Sequence, residues 1–366
     1  MIVVLGGETP GLLERIREVR AAGDAPLVGD PRWSPAQWEA VTRAAARAGD
    51  LPGVAWATLT SGSSTSPRIV LRRAASWEES FAAVAEAITM QDGDVIALPA
   101  PPASSLTMFS LAHALGGGPA PALGADVLRR HDVTCMHGTP QALRVALEAG
   151  RPPRLRTALV GGSHLDARLR TQASDAGIRL VSYYGAAELS FVAIDHGDGL
   201  RAFPGVDLDV RDGVLWVRSP FIAAGCLGSD GSLRRDGAWA TVGDRAELVG
   251  GRLRLLGRAD DAILSASATI VPEEVEETLR AIPGIRDAVV FGLPRERVGA
   301  LVATLIEFDD EHPPARLRDV ILDRLAPAHR PKQWFCGELP RTAAGKPARA
   351  EALRRALEGE VTRLEL

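Results

Sequence analysis

Short apolar runs alternate with amphipathic segments through the first half of the chain, and this alternation constrains the fold more than any other feature. Strands are predicted at 2–5, 26–28, 54–59, 69–71, 95–98, 133–136, 157–160 and 180–183. Helices are predicted at 12–22, 35–48, 77–90, 105–115, 125–131, 140–149 and 167–176. Ser34 is predicted to cap the second of these helices and Ser76 the third. Such alternation is typical of an α/β domain, in which helices cover both faces of a mostly parallel sheet. Ligands bind such sheets at the carboxyl ends of the strands.

The pattern changes after residue 188. Short apolar runs at 203–210, 214–218, 245–249 and 253–256 are separated by Asp-Gly or Gly-Gly turns, which predicts a small antiparallel β unit. A small, charged segment at 257–261 is typical of a linker, and helices and strands suited to a small α+β domain follow it. We therefore predict a large domain over residues 1–257, a hinge at 258–261 and a small C-terminal domain over 262–366.

Composition excludes several classes of protein. Apolar residues make up 46% and charged residues 24% of the 366 residues, which is ordinary for a globular protein. A net charge of -4 gives no electrostatic reason to expect nucleic acid or an anionic membrane as partner. The three cysteines are scattered and read as reduced thiols. No signal peptide or membrane span is apparent, so we expect a soluble cytoplasmic protein.

The segment Thr60–Arg68 lies between two predicted strands and is rich in hydroxyl groups and glycine. A turn of this kind directs backbone N–H groups and hydroxyls into one small volume, which suits an anion such as phosphate. The alternative is an ordinary Ser/Gly surface loop, and the loop alone does not decide between them.

Five stretches in a fixed order favour a functional role for this loop over an ordinary surface loop. Together they resemble the adenylate-forming superfamily, which comprises acyl-CoA synthetases, peptide-synthetase adenylation domains and luciferases. The stretches are 60–68, 184–188, 239–244, 257–263 with 272–276, and 339–346. The compact form is most similar to the o-succinylbenzoate–CoA ligases of menaquinone biosynthesis. The resemblance implies that ATP activates a carboxylic acid to acyl-AMP with Mg²⁺, that coenzyme A accepts the acyl group, and that the small domain is mobile.

The resemblance also implies site residues. An ATP- and AMP-binding set would comprise Thr60, Ser61, Gly62, Ser63, Ser64, Arg68, Gly161, Gly162, Ser163, Tyr184, Gly185, Asp244 and Arg258. Glu188 would hold Mg²⁺, because a hard ion takes carboxylate and phosphate oxygens. Lys346 would be the catalytic lysine of adenylation, and Asp260 the pivot of the hinge. Taken singly, each could instead be structural: Glu188 a first-turn helix carboxylate, or Lys346 a solvated cation.

The chain departs from the family pattern mainly at the thiol end. Ala266-Ser267 stands where the family has two glycines along the pantetheine tunnel, and Pro101-Pro102 stands where close relatives carry an aromatic-His pair. In the phosphate loop, Thr65 and Arg68 replace the usual Gly and Lys. We therefore expect adenylation to be the stronger half-reaction.

Several alternatives stay open. The acceptor could be a carrier-protein thiol or an amine instead of CoA, and a non-catalytic nucleotide-binding homologue is a third possibility. His137 and His164 are candidates for the acyl end of the site, with a satisfied strand-end histidine and a helix-entry residue as their structural alternatives. The sequence does not name the acid, and it leaves a homodimer open.

Overall fold

The computed structural model describes residues 1–59, 68–124, 126–163, 165–227, 233–258, 263–265, 268–295, 299–310, 317–327, 329–342 and 345–365. The chain divides into two compact units. The large unit comprises Met1–Val242, Leu248–Arg254 and Ala343–Gly345, and the small unit comprises Gly243–Glu247, Leu255–Thr342 and Lys346–Leu366. The domain boundary at 257 and the hinge at 258–261 stay predictions.

Strands and helices alternate through the large unit, as the sequence predicts. Its strands are β1 Ile2–Gly6, β2 Ala25–Gly29, β3 Trp56–Leu59, β4 Ile69–Arg72, β5 Val95–Ala97, β6 Ala120–Ala122, β7 Cys135–Gly138, β8 Thr157–Gly161, β9 Arg179–Ala186, β10 Ser190–Asp195, β11 Arg201–Ala202, β12 Asp207–Arg211, β13 Val214–Arg218, β14 Gly225–Leu227, β15 Arg234–Asp236 and β16 Trp239–Thr241. Its helices are α1 Leu12–Ala21, α2 Pro35–Arg47, α3 Ala75–Glu78, α4 Phe81–Ala87, α5 Ser105–Leu115, α6 Pro140–Glu148 and α7 Ala167–Asp175. Strands β17 Asp244–Val249 and β18 Arg252–Arg258 follow, where the two units divide along the chain.

A seven-stranded sheet in the order β11-β10-β9-β8-β7-β5-β6 forms the centre of the large unit. The five strands from β9 to β6 are parallel to one another, and β10 and β11 add an antiparallel edge. Met136 packs in one core with Leu143 of α6 and Leu169 of α7, while its neighbour His137 contacts Ser110 of α5. Because successive side chains of a strand point to opposite faces, helices cover both faces of this sheet. This is the architecture predicted from the alternation.

Smaller sheets complete the large unit. β1 and β2 form a parallel pair, and β3, β4 and β14 form a three-stranded sheet. The Ser34 hydroxyl accepts from the Gln37 N–H and the Gln37 side chain returns to Ser34, so the predicted cap of α2 is confirmed as a capping box. The predicted antiparallel unit is present, with β13 between β12 and β16.

Three local predictions are wrong. The single helix predicted over 77–90 with Ser76 as its cap is instead α3 and α4. Ser76 lies inside α3, where its buried side chain donates to the carbonyl of Arg73, which precedes the helix, instead of capping. The helix predicted at 125–131 is a single 3₁₀ turn at Val127–Arg129, preceded by the unpredicted strand β6. The strand predicted at 203–210 begins only at Asp207, because Phe203 is buried in the preceding turn.

The small unit is the predicted α+β structure. Its elements are β19 Ile263–Ser265, β20 Ala268–Ile270, α8 Pro272–Arg280, β21 Ile285–Arg295, β22 Gly299–Phe308, α9 Leu317–Arg324, β23 Gln333–Cys336, α10 Arg349–Glu358 and β24 Thr362–Leu364. Val290 packs in the core that contains α8 and α9, whereas the adjacent Phe291 packs in the core that contains Ala352 of α10. Both faces of this sheet are therefore covered.

Candidate functional site

The predicted phosphate loop connects two antiparallel strands. β3 ends at Leu59 and β4 begins at Ile69, and these strands pair directly through Leu59 and Ile69. Thr60, Ser61, Gly62, Ser63 and Ser64 lie outside the described residues, so their roles stay predictions. Arg68, the last residue of the segment, is described and three-quarters buried, and its Nη1 lies 3.8 Å from Oε1 of Glu188.

Glu188 occupies a tight turn between β9 and β10. The Leu189 N–H donates to the Ala186 carbonyl at 3.1 Å, which closes the turn, and Ser190 follows in the left-handed region with φ of 61°. The Glu188 carbonyl accepts a hydrogen bond of 2.8 Å from the Ala223 N–H. The structural alternative of a first-turn helix carboxylate is therefore wrong, because Glu188 lies in a strand-to-strand turn. Glu188 is only 5% exposed, so the turn keeps its carboxylate largely out of contact with water.

Two glycines of the predicted nucleotide set are required by close packing. A Cβ at Gly161, the last residue of β8, would lie 2.4 Å from the ring of Tyr183 on β9. A Cβ at Gly185 would lie 2.2 Å from the Ser190 carbonyl across the hairpin. Gly162 adopts φ of +88°, which side chains rarely adopt, and it introduces the turn that holds Ser163. Tyr184 lies on β9 next to Tyr183, so the two rings leave opposite faces of the strand.

His137 is part of a buried chain of hydrogen bonds. Its Nδ1 lies 2.7 Å from the Ser110 hydroxyl and its Nε2 lies 2.9 Å from the Tyr183 hydroxyl. Burial, together with a smaller contribution from the nearby His113, lowers the pKa of His137 to about 3. Burial also raises the pKa of Tyr183 above its usual value. Because the imidazole is neutral and both of its nitrogens are occupied, the geometry supports the structural alternative for His137 over direct contact with an acyl group.

One buried residue beside this site escapes the sequence analysis. Arg72 ends β4, is completely buried, and donates through Nη2 to the Ala187 carbonyl and through Nη1 to the Phe221 carbonyl, the latter at 2.7 Å. The sequence places the strand at 69–71 and ends it before this charge, since arginine is almost never fully buried without a partner. An arginine immediately after an apolar run is the only signal that the sequence offers.

The remaining predicted site residues lie in the second half of the chain, after the parallel strands. Asp244 begins β17 directly after Gly243, which has φ of +86°, and Arg258 ends β18. Lys346 lies in a loop that is closed by the Thr342 N–H, which donates to the Lys346 carbonyl at 2.7 Å. The side chain of Arg258 and the residues His164, Asp260, Ala266 and Ser267 lie outside the described part of the chain.

Comparison with known proteins identifies the class to which this fold and site belong. The family model of AMP-binding enzymes matches residues 13–225, and the model of the AMP-binding enzyme C-terminal domain matches residues 274–346. The chain therefore belongs to the family of AMP-binding enzymes.

Individual relatives narrow the similarity. A 2-succinylbenzoate–CoA ligase of Escherichia coli is 30% identical over 188 residues, which cover 50% of this chain and 41% of that protein. An uncharacterized acyl–CoA ligase of Bacillus subtilis is 28% identical over 325 residues, which cover 80% of this chain and 66% of that protein. The solved o-succinylbenzoate CoA synthetase of B. subtilis, in complex with its acyl-adenylate, has the same fold, with a TM-score of 0.81 at 19% identity over 100% of this chain and 89% of that one. The chain thus matches about two fifths to two thirds of the length of these two curated relatives.

None of the described helices is both long and apolar enough to cross a membrane. The cytoplasmic location expected from the sequence stays a prediction.

Proposed function

We propose that this protein activates a carboxylic acid with ATP, forming acyl-AMP and pyrophosphate, and then transfers the acyl group to a thiol, that of coenzyme A. The substrate acid proposed is o-succinylbenzoate, because the E. coli relative and the similar B. subtilis structure carry that substrate in their names. A homodimer and a carrier-protein partner stay open predictions.

One observation carries the proposal within this chain. The Glu188 carboxylate is nearly buried in the β9–β10 turn, 3.8 Å from the Arg68 guanidinium at the end of the hydroxyl-rich segment. A cation and a carboxylate held together at a strand end form a site for a phosphate chain that carries a metal ion. Neither group is needed to close the hairpin, whose turn is made by backbone hydrogen bonds.

The residues present fit a magnesium ion that arrives with its nucleotide. Among the described residues no group of three or more His, Cys, Asp or Glu side chains could hold a metal ion. Glu188 supplies one carboxylate, which suits Mg²⁺ because this ion keeps several waters and takes only one or two carboxylates besides phosphate oxygens. Bound there, Mg²⁺ would neutralise the charge of the leaving pyrophosphate.

The proposed reaction places simple demands on the chain. In the first step a carboxylate oxygen attacks the α-phosphorus of ATP and the bond to the pyrophosphate oxygen breaks. In the second step a thiolate attacks the carbonyl carbon of acyl-AMP, AMP leaves, and the thiol proton passes to water. Positioning and charge stabilisation dominate such phosphoryl chemistry, so Lys346 would stabilise the developing charge of the first step and Arg68 would hold the β- and γ-phosphates.

Exchange of labelled pyrophosphate into ATP, driven by a panel of acids, tests the first step. We expect o-succinylbenzoate to drive exchange better than benzoate, succinate or medium-chain fatty acids. Equal exchange with simple monoacids would contradict the substrate and leave a general acyl-CoA ligase. No exchange with any acid would favour the non-catalytic homologue.

The variant Lys346→Ala tests the catalytic assignment. Loss of one preorganised donor to a developing oxyanion costs about 10²–10³ in rate, so exchange should fall by that factor. Consumption of supplied acyl-AMP with CoA should continue, because that step does not use the lysine. Loss of both activities to the same degree would contradict the assignment.

The acceptor is tested separately, since the thiol end of the sequence departs most from the family. Ala266-Ser267 adds side chains along the predicted pantetheine passage, and overpacking hinders such a passage. We expect thioester formation with CoA to be slower than acyl-AMP formation and to speed up in Ala266→Gly/Ser267→Gly. If the variant is unchanged and an amine or a carrier thiol is acylated faster, CoA is not the acceptor.

A further inference from the structure

Arg72 is a buried cation that donates no hydrogen bond to a carboxylate within the described part of the chain. It is completely buried, and its guanidinium lies 5.3 Å from the centroid of the Trp77 ring and donates to two backbone carbonyls and the Ser76 hydroxyl. Its Nε has no hydrogen-bond partner within the described residues. Buried arginines are normally paired with carboxylates, since removing an unpaired charge from water is unfavourable. Because this burial is unfavourable for stability, a function that a buried arginine serves at this position would account for it.

The two carbonyls that Arg72 binds belong to the segments that build the Glu188 turn. Nη2 binds the carbonyl of Ala187, the residue before Glu188, and Nη1 binds the carbonyl of Phe221. Two residues after Phe221, the Ala223 N–H donates to the Glu188 carbonyl at 2.8 Å. The peptide groups on both sides of Glu188 are therefore held, one by Arg72 directly and one by the segment that Arg72 also holds.

The geometry points to Arg72 as a positioning residue that fixes the Glu188 carboxylate for the metal–phosphate complex of ATP, an inference that rests on the proposed function. Arg72 acts from the core and touches the backbone of the turn. A ligating side chain must be held within a fraction of an ångström of its working position, which a turn cannot achieve if its backbone is free to shift. The rigid fork of the guanidinium joins two chain segments at once, which a lysine cannot do.

The sign of one measurement separates positioning from simple electrostatics. If Arg72→Met only removes a positive charge, a divalent cation beside Glu188 binds more easily and the Mg²⁺ concentration for half-maximal exchange falls. If it releases the turn, Glu188 is misplaced and that concentration rises. We expect a rise of about fivefold or more and a fall in exchange rate of about 10–100-fold, with Arg72→Lys between Arg72→Met and the wild type.

A double-mutant cycle with Glu188→Gln tests whether Arg72 acts through Glu188. If it does, Arg72→Met/Glu188→Gln should be no slower in exchange than Glu188→Gln alone, whereas independent roles would multiply. The Mg²⁺ dependence of ATP binding, measured by calorimetry, provides a readout apart from turnover. Here too the Mg²⁺ requirement should rise in Arg72→Met and be the same in Glu188→Gln and the double variant.

Arg156→Met is the matched control. Arg156 also donates to a backbone carbonyl, that of Thr89 at 3.2 Å, but its carboxylate partner is Asp94, away from the Glu188 turn. It should lower the melting temperature without changing the Mg²⁺ requirement. If Arg72→Met does not fold, Arg72→Lys, which keeps the buried charge, carries the same measurements.

An unchanged or lowered Mg²⁺ requirement in the Arg72 variants, or multiplicative effects in the cycle, would overturn the inference. A wild-type protein with neither exchange nor Mg²⁺-dependent ATP binding would overturn the proposed function, and the inference with it. If the wild type shows exchange, and Arg72→Met, like Arg156→Met, lowers the melting temperature without changing the Mg²⁺ requirement, the inference alone is overturned.

Discussion

Two arginines, the completely buried Arg72 of the large unit and the largely buried Arg280 of the small unit, hold their charges in opposite ways. In the small unit Arg280 donates to Asp287 at 2.7 Å and to Glu276 at 3.2 Å, and these carboxylates also accept from Arg341 and Arg349. In the large unit Arg72 donates to backbone carbonyls and one hydroxyl. Arg280, Arg341, Arg349, Glu276 and Asp287 of the small unit thus form a closed network of ion pairs, in which each carboxylate has two arginine partners. The large unit instead contains a cation that binds the backbone carbonyls of two chain segments.

The titration of the two groups differs accordingly. Burial lowers the pKa of Arg280, but Glu276 and Asp287 more than offset this and the pKa lies above its usual value. Burial lowers the pKa of Arg72 to about 9, and the charge of Glu188 only partly opposes the shift. The ion pairs of the small unit therefore stabilise the charge of Arg280. The charge of Arg72, beside the proposed site, is destabilised by its burial.

The largest expected effect comes from breaking the closed network. Arg280→Met removes one arginine partner from the buried Glu276 and the partly buried Asp287, which keep Arg349 and Arg341. The loss of two hydrogen bonds to carboxylates should lower the free energy of unfolding by about 4 kcal/mol. Urea denaturation measures it when followed by the fluorine NMR signal of Trp334, a residue of the small-unit core, in protein labelled with 5-fluorotryptophan. Adding Glu276→Gln should recover part of the loss, because it removes the charge of one carboxylate that has lost its Arg280 partner. If Arg72→Met proves more destabilising than Arg280→Met, the contrast between the units is wrong.

Acid should unfold the large unit first, because it buries neutral histidines. Burial lowers the pKa of His113 from 6.5 to about 4. A depressed histidine pKa gives stability that is complete above pH 6.5 and is lost as the pH falls towards 4, since the unfolded state binds the proton first. The ring centroids of His113 and Phe81 lie 4.8 Å apart. His113→Phe keeps an aromatic ring against Phe81 and removes the titrating imidazole. The loss between pH 6.5 and 4 should shrink by about 3 kcal/mol.

The small unit should resist acid in the same interval. Although burial raises the pKa of Asp287, Arg280 and Arg341 lower it overall below 3.8, so its contribution is kept until the pH falls below that value. Fluorine NMR of protein labelled with 5-fluorotryptophan, with the resonances of single tryptophans assigned, follows the two units separately against pH. Loss of the Trp334 signal before the signal of the large-unit Trp77 would contradict this order.

Gly161→Ala tests the packing that supports the nucleotide end of the site. The added methyl would lie 2.4 Å from the Tyr183 ring, and overpacking of this kind costs about 2 kcal/mol. Exchange should weaken as the turn at Gly162 shifts. Tyr183→Leu makes room for the methyl, so the double variant should be more stable than the sum of the single effects. Additive losses would show that the ring moves aside freely.

The smallest effect is expected at an ion-pair cluster on the surface. Arg354 contacts Glu351, Glu358 and Glu360, yet its side chain is 41% exposed. Exposed pairs gain little because water screens them and the long side chains lose rotamer freedom. Arg354→Ala should leave the melting temperature within error of the wild type. A clear shift would show that the number of ion pairs, and not their burial, sets the stability of the small unit.

Much of this molecule follows from local pattern. The spacing of apolar runs was sufficient to predict four of the five parallel strands of the central sheet, all except β6. Helix α5 begins and ends at the predicted residues 105 and 115 because Ser104 caps it and Gly116 ends it. The order of short motifs was sufficient to predict the family. These features are determined by the sequence itself, because capping, turn chemistry and hydrophobic periodicity act over a few neighbouring residues.

Other features depend on residues that are far apart in the chain. The use of both His137 nitrogens arises from contacts with Ser110 and Tyr183. The burial of Arg72 arises from contacts with Ala187 and Phe221. An arginine at the end of an apolar run has the same local pattern whether water or two carbonyls surround its guanidinium. Only the tertiary structure decides which, because the carbonyls belong to segments more than 100 residues further along the chain.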